Sequence, residues 1–341
     1  MKCTCANLSE QLRNMDEESY VLNSGRDGAV MVLPSHGRVL GLWSDREEEN
    51  HFWTNPAFLA SPDRDGGEWE NPGGHRIWIA PEREFFFTNL SDPFGTHFVP
   101  ASIDPGRYRC QVSSSEVLLE SEGVAHAYAS NKDVEFRVSR TIRVYGRSEL
   151  EAMFGERCSA AAAGYEESAA VEFDCSPQVP VGTWSLIQVP LGGKVSAATK
   201  NAGQHTVFFG EPDQMIERGR NTLTVEFPRS HKGNFKIGLA PSAVSGRATY
   251  MQERPDGAVL SLIKMFQIGE EGNYVDTPWT EPEKGGSAAQ FYYGGEFGFG
   301  ELEAHSGSFE TTGQRCTARL KVKVLAFSGN RRDCEFVNPV P

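Results

Sequence analysis

The sequence predicts an all-β protein, a large antiparallel β-sandwich in one domain. Three observations carry this. Short runs of β-branched, aromatic and aliphatic residues recur roughly every eight to fifteen residues, each bounded by Gly, Pro, Asn or Asp. No segment of about a dozen residues sustains the 3.6-residue apolar period of a helix. Glycine (35) and proline (19) are plentiful among the 341 residues, as many strands joined by turns require. No fixed-period repeat is visible, which argues against propellers and solenoids. No low-complexity linker divides residues 1–341, so a single domain is the economical reading.

In chain order, residues 1–18 carry little pattern and read as a peripheral N-terminal segment. Gly28–Leu33 and Arg38–Trp43 are apolar strands around the turn cluster Pro34-Ser35-His36-Gly37. The charged run 45–50 is a solvated loop, His51–Pro56 a short strand, and residues 61–74 a long loop rich in Pro, Asp, Gly and Asn. His75–Ala80 alternates, with His75, Ile77 and Ile79 on one face and Arg76, Trp78 and Ala80 on the other. Glu84–Phe87 reads as an aromatic strand, followed by Tyr108–Val112, Glu116–Glu120 and Val134–Val144. Residues 158–169 hold an alanine run and are the best helix candidate. Strands resume at Val171–Asp174, Thr183–Val189, His205–Phe209, Thr222–Phe227, Phe235–Leu239, Val259–Ile268, Gln290–Tyr293 and Thr317–Phe327.

Composition narrows the function classes. A hydrophobic share of 39% and a charged share of 23% describe a globular chain rather than a disordered one. The formal charge of -13 repels phosphate backbones and anionic lipid, so neither nucleic acid nor a membrane surface is an expected partner. No apolar run reaches the roughly eighteen residues of a membrane span. Met1-Lys2-Cys3-Thr4-Cys5-Ala6-Asn7 lacks the apolar core of a secretory signal. The seven cysteines include no Cys-x-x-Cys, so the thiols are expected to be reduced and the protein cytoplasmic. A leader removed beforehand would place it in the periplasm or outside the cell. A monomer or homodimer is expected.

One late stretch concentrates chemistry. In Gly294-Gly295-Glu296-Phe297-Gly298-Phe299-Gly300-Glu301-Leu302-Glu303-Ala304-His305, glycines alternate with aromatics before two carboxylates and a histidine fall at every second residue. As a strand it places Glu301, Glu303 and His305 on one face, with Leu302 and Ala304 on the other. Unpaired charge is costly in a packed interior, so this face either opens into a polar cleft or is a solvated outer surface. The glycine and aromatic context favours the cleft.

Five motifs in order, over roughly residues 20–328, resemble a known group. They are Gly37-Arg38-Val39-Leu40-Gly41-Leu42, Gly73-Gly74-His75-Arg76-Ile77-Trp78-Ile79-Ala80-Pro81-Glu82, Trp184–Pro190, Phe235-Lys236-Ile237-Gly238 and Gly300–Ser306. The sequence resembles uncharacterised bacterial members of the galactose mutarotase-like (aldose 1-epimerase-like) superfamily, whose fold is an extended β-sandwich called a supersandwich. The resemblance implies a concave sheet that receives a mono- or oligosaccharide. It also implies ring-opening epimerisation, in which a late glutamate takes the anomeric proton and a mid-chain histidine protonates the ring oxygen. By order, Glu303 matches that glutamate and Arg76 an early substrate-binding arginine. The family's His-Pro pair is absent, and Gln188 stands nearest to it; an amide cannot act as the acid. The acid then falls to His305 or His75.

The remaining roles follow from residue type. Burial beside Glu301 would raise the Glu303 pKa toward working pH. Arg76 offers a planar fork of donors to hydroxyls or a carboxylate, and its competing partner is Glu82 or Glu84. Only one of His75 and Arg76 can reach the cleft, because adjacent strand residues face opposite ways. Trp78, Trp184, Trp279, Tyr292 and Tyr293 are candidate stacking surfaces for pyranose rings. Lys236 reaches a ligand or snorkels to solvent. Substrate contacts are thus expected from Arg76, Trp78, Glu82, Trp184, Gln188, Lys236, Tyr292 and Glu301. No cofactor is predicted, since no P-loop, nucleophile elbow or dinucleotide fingerprint occurs. No metal is predicted either, because His75, Glu82, His97, Glu303 and His305 lack metal-motif spacing. Two other functions fit the same scaffold. One is a polysaccharide lyase or glycoside-processing enzyme using Tyr292 or Tyr293 with Arg76; the other is a non-catalytic sugar-binding module.

Overall fold

The computed structural model describes residues 2–60, 69–154, 161–201, 204–269, 274–307, 309–331 and 334. The chain begins with helix α1 (Cys5–Asn14), then strands β1 (Tyr20–Ser24), β2 (Gly28–Leu33) and β3 (Arg38–Trp43), and short helix α2 (Pro56–Ala60). Strand β4 (His75–Ala80) leads to helical turns α3 (Glu82–Phe85) and α4 (Pro93–Thr96). Strands β5 (Arg109–Val112), β6 (Glu116–Ala127) and β7 (Lys132–Val144), helix α5 (Arg147–Phe154) and β8 (Ala161–Asp174) follow. Next come β9 (Gly182–Pro190), β10 (Gly193–Thr199), β11 (Thr206–Phe209), β12 (Ile216–Arg218), β13 (Thr222–Phe227) and β14 (Asn234–Leu239). The chain closes with β15 (Val244–Glu253), β16 (Val259–Phe266), β17 (Ala289–Gly294), β18 (Phe299–His305), β19 (Phe309–Thr312) and β20 (Arg315–Gly329).

Among the described residues these strands form two antiparallel sheets packed as a sandwich, the predicted class. The first has nine strands in the order β1-β2-β3-β4-β9-β18-β17-β14-β11. The second has eleven, β12-β13-β10-β15-β16-β20-β8-β7-β6-β5, with β19 paired to β20. The core between them takes Val30, Val32, Ile187, Val189, Ile237, Phe291 and Leu302 from the first sheet. From the second it takes Ile142, Tyr165, Val195, Leu262, Val322 and Val324.

The two sheets differ on their outer faces. β6, β7, β8 and β20 alternate buried and exposed residues, as strands with one wet face must. β2, β3, β4 and β18 are buried at every position, so something covers their outer face. Over β2 and β3 the cover is α1, which Thr4 caps by accepting from the Asn7 N–H at 3.2 Å. Its Cys5, Leu8 and Leu12 pack on Ala29, Met31, Leu40 and Trp43. Over β4 and β9 it is the segment that follows β4, whose Phe85 and Phe86 pack with Trp78, Trp184 and Leu186. The N-terminal segment is therefore an integral lid on the sheet rather than a peripheral tail.

Four expectations are corrected. The alanine run at 161–169 is the start of β8, not a helix; its residues 158–160 lie outside the described region. Ala163, Tyr165, Glu167, Ala169, Val171 and Phe173 face inward with period two, and pairing to β7 and β20 outweighs alanine's modest helix preference. His51–Pro56 is not a strand: the Asn50 side chain accepts from Leu42 N and Phe52 N, holding a bend, and Pro56 opens α2. Glu84–Phe87 falls at the helical turn α3, whose start Pro81 pre-sets. Finally, Cys175 and Cys316 form a disulfide, so wholly reduced thiols are not what the structure contains.

Candidate functional site

Residues directly opposite in an antiparallel pair point to the same face. Glu301 on β18 is opposite Gln188 on β9 and Tyr292 on β17; Glu303 is opposite Leu186 and Gln290. His305 and Trp78 both oppose Trp184, Arg76 opposes Leu186, and Lys236 opposes Tyr292. Five neighbouring strands thus project these side chains from the outer face of the first sheet. Leu302 and Ala304 project from the other face into the core.

The polar groups on this floor interlock. Arg76 Nη2 donates to Glu301 Oε1 at 2.7 Å, and Gln188 Nε2 donates to the same oxygen at 3.0 Å. Glu303 Oε2 accepts the Trp184 indole N–H at 2.7 Å and stands 3.2 Å from Lys236 Nζ. The same ammonium donates to Glu82 Oε2 at 3.1 Å. Asp276, from a loop, accepts from Gln290 Nε2 and from the Glu82 backbone N–H, both at 2.6 Å. Asp104, from another loop, accepts from Trp78 Nε1 and Arg38 Nη2.

Among the described residues, several buried atoms of these side chains, and of Trp69, which lies just ahead of β4 and packs on Trp78 at 5.7 Å, have no hydrogen-bond partner: Arg76 Nε and Nη1, Trp69 Nε1, Gln188 Oε1, Gln290 Oε1, Glu303 Oε1 and both ring nitrogens of His305. A buried polar atom left unpaired costs about 1–3 kcal/mol. So many on one face mark a place built to be filled by water or ligand.

Burial drives the electrostatics. It pushes the Glu303 carboxyl up to about 8, helped by Glu301, Glu82 and Asp276 and opposed by Lys236. Glu82 is raised for the same first reason, with Lys236 opposing. Burial alone would lower Lys236, but Glu303, Glu82 and Asp276 overcome it and hold the ammonium above its usual range. His305 is pulled down to about 3, by burial and then by Lys236 and Lys264 against Asp276. Its ring is neutral at pH 7. It stacks on Trp184 with centroids 5.4 Å apart and lies 4.0 Å from Glu303 Oε2.

Aromatic rings collar this floor. Trp78 carries the Arg76 guanidinium at 4.0 Å and packs on Phe86 at 4.8 Å, and Phe86 meets His97 at 6.5 Å. His97 meets Phe87 at 5.4 Å, Phe87 meets Trp279 at 5.2 Å, and Trp279 stacks on Phe209 at 5.2 Å. Phe209, Tyr292, Phe299 and Trp53 complete the run at spacings of 6.2, 6.0 and 4.7 Å. Lys236 Nζ lies 4.6 Å over Trp184.

Of the residues singled out from sequence, Arg76, Trp78, Glu82, Trp184, Gln188, Lys236, Tyr292, Glu301, Glu303 and His305 meet here. Arg76 pairs with Glu301 rather than with Glu82 or Glu84. His75 does not join them. Its ring lies between the sheets, with Nδ1 2.6 Å from Tyr165 Oη and 3.2 Å from Glu167 Oε2, and Nε2 2.7 Å from Ser185 Oγ. Ser185, His75 and Glu167 are spaced as a nucleophile, base and acid would be, but all three are fully buried in the sandwich, away from any substrate. His75 is therefore corrected from candidate acid to interior residue. Tyr293 also faces inward, packed on Phe235 at 5.1 Å. Gln290, Asp276, Asp104 and Phe86 were not anticipated. Gln290 was within reach of the two-residue rule from Tyr292; the others arrive from loops without a period. Among the described residues no group of three or more His, Cys, Asp or Glu is placed to hold a metal ion.

Comparison with known proteins adds little chemistry. Residues 6–172 match the model of a family of unknown function (DUF6786), ending inside β8. No curated protein matches the sequence. A TPR-domain containing protein from Parabacteroides distasonis ATCC 8503 is similar in structure, with 10% identity and a TM-score of 0.45. That similarity covers 92% of this chain and 48% of that one, so the chain spans about half its length. Galactose 1-epimerase from Lactobacillus acidophilus NCFM is similar at 10% identity and a TM-score of 0.36, over 92% of this chain and 99% of that one.

Proposed function

We propose that the outer face of the first sheet binds a neutral carbohydrate and that Glu303 exchanges a proton with it, as in ring-opening epimerisation of an aldose. The observation that carries this is the mixed set of unpaired atoms. Arg76 and Trp69 offer donors, Gln188 and Gln290 offer acceptors, the Glu303 carboxyl donates when protonated and accepts when ionised, and neutral His305 offers one of each. A polyol hydroxyl is itself donor and acceptor, and the aromatic collar suits the C–H faces of a pyranose. With Glu82, Asp276, Glu301 and Glu303 against Arg76 and Lys236, the floor is a poor host for a uronate, which weighs against the lyase alternative.

In this reading the anomeric hydroxyl loses its proton to a carboxylate, C1–O5 breaks as the C1 carbonyl forms, and O5 takes a proton from a second, protonated carboxyl. Glu303, whose carboxyl burial raises to about 8, is the base in its ionised form, and its Oε1 has no hydrogen-bond partner among the described residues; Glu82 is the second carboxyl, joined to it through Lys236. His305 is neutral, so no imidazolium serves as the acid. That neutrality, with the missing His-Pro pair, favours a second reading: a sugar-binding module without catalysis. Polarimetry and exchange NMR over a panel of aldoses, with wild type and Glu303→Gln, separate the two. Epimerisation requires wild-type acceleration that falls at least about 100-fold in the variant while affinity persists. Saturable binding without acceleration leaves the module; neither binding nor rate removes the carbohydrate reading.

A further inference from the structure

Beside the candidate site the first sheet borders a groove of about 890 Å³, walled by α1, residues 49–60 and the Pro190-Leu191 corner. Trp53 lines this groove and also packs on Phe299 at 4.7 Å. Phe299 pairs in register with Pro190, another groove residue, and sits two residues before Glu301 on the same face of β18. That separation is roughly 7 Å along the strand. Tyr292, opposite Glu301, lies 6.0 Å from Phe299. Tyr292, Phe299 and Trp53 therefore form an unbroken aromatic sill from the Arg76–Glu301 ion pair to the groove. Beyond the sill, Gly298 leaves open space at the groove margin, and next to it Phe297 is 59% exposed, 6.3 Å from Phe299. Within the groove, Arg229, Gln252 and Asn7 stand among Pro190, Leu191 and Leu260, a mixture suited to hydroxyl edges and C–H faces.

We infer that the ligand is an oligosaccharide: one ring occupies the polar floor, and the following units cross the sill into this groove. The inference rests on the carbohydrate reading of the floor. A single pyranose fills only part of the space, since grooves of roughly 300–1,000 Å³ take ligands several rings long, and the sill supplies a stacking surface between the two compartments.

Calorimetric titration with the malto-, cello- and β-1,4-galacto-oligosaccharide series, each from monosaccharide to tetrasaccharide, tests this. In at least one series the tetrasaccharide binds at least about tenfold tighter than its monosaccharide. Ala60→Trp, which adds an indole at an exposed groove position of α2, brings that ratio within about twofold of one and leaves monosaccharide affinity unchanged. Trp53→Ala, which removes the sill's last ring, also lowers that ratio. Monosaccharide binding with no gain on chain extension overturns the groove assignment and leaves the floor standing, as does a gain that Ala60→Trp does not touch. Binding of no saccharide in any series overturns the carbohydrate reading and the groove assignment with it.

Discussion

Arg76 and Glu301, 225 residues apart in the chain, form a 2.7 Å ion pair on the outer face of the first sheet with both side chains buried. The pair ties the early strand β4 to the late strand β18 across β9, and Gln188 of β9 donates to the same carboxylate oxygen. Removing one partner leaves the other charge buried without compensation, at a cost of about 3–5 kcal/mol. Arg76→Met should lower unfolding free energy in urea by that order. Arg76→Met with Glu301→Met should recover most of the loss, because no lone charge remains. A double variant no more stable than the single one would show that the pair is not desolvated as described.

Glu303 links the site to pH. Its folded-state pKa of about 8 lies above the ordinary carboxyl value of 4.5, chiefly through burial. Between those values the folded protein holds a proton that the unfolded chain has released, so stability falls as pH rises through that window. Below it there is no cost, and above it the full cost remains. Glu303→Gln removes the cost, and should gain on wild type by on the order of a few kcal/mol between pH 5 and pH 9. Urea midpoints at those two pH values measure this, and parallel curves for the two proteins would refute it.

Lys264 gives the opposite slope. It extends from β16 across the core, and its Nζ donates to Ser185 O at 2.8 Å and Leu302 O at 3.0 Å, backbone carbonyls of two strands that carry the site. Burial pulls its pKa down to about 7, opposed by Glu303, Glu167 and Glu301 and assisted by Arg76. The unfolded chain holds the proton up to the ordinary value of 10.5, so the penalty is full below pH 7 and fades as pH rises from there. Lys264→Met should therefore flatten a rise in wild-type stability between pH 7 and pH 10. Thermal midpoints across that range are the measurement, and an unchanged slope in the variant would remove Lys264 as its source.

How much of this was legible follows from which faces are covered. The two-residue rule placed Arg76 with Trp78, and Glu301 with Glu303 and His305, correctly relative to one another. It could not say which face of β4 meets the core, because β4 is buried on both sides and its alternation carries no wet face to orient it. His75 looked equivalent to Arg76 for that reason, and only the second sheet, bringing Tyr165 and Glu167 to its ring, separates them. The inward charges Arg140 and Glu167 sit at core positions of strands that otherwise alternate cleanly. Asp276 and Asp104 come from loops, where no period exists to read. Residues 161–169 failed differently: alanine content suggested a helix, while the period-two burial that decides the matter emerges only once β7 and β20 flank the segment.

The Cys175–Cys316 disulfide closes a stretch of 141 residues, joining the exit of β8 to the start of β20, where Cys316 lies beside Phe173 in register. Cys175 N also donates to Gln314 O at 3.0 Å, so the backbone already holds the two segments together in the folded state. The cross-link therefore acts mainly on the unfolded chain, whose freedom it restricts. Chain-entropy arguments for loops of this length give about 4–5 kcal/mol, with measured values often lower. Reduction, or Cys316→Ser, should lower unfolding free energy by about 2–5 kcal/mol. Ligand affinity at 25 °C should be unchanged, because the strands bearing the candidate site belong to the other sheet. Paired urea titrations of the oxidised and reduced protein measure the difference. A gap below about 1 kcal/mol, well short of that range, would mean that the bridge does not constrain the unfolded chain in solution.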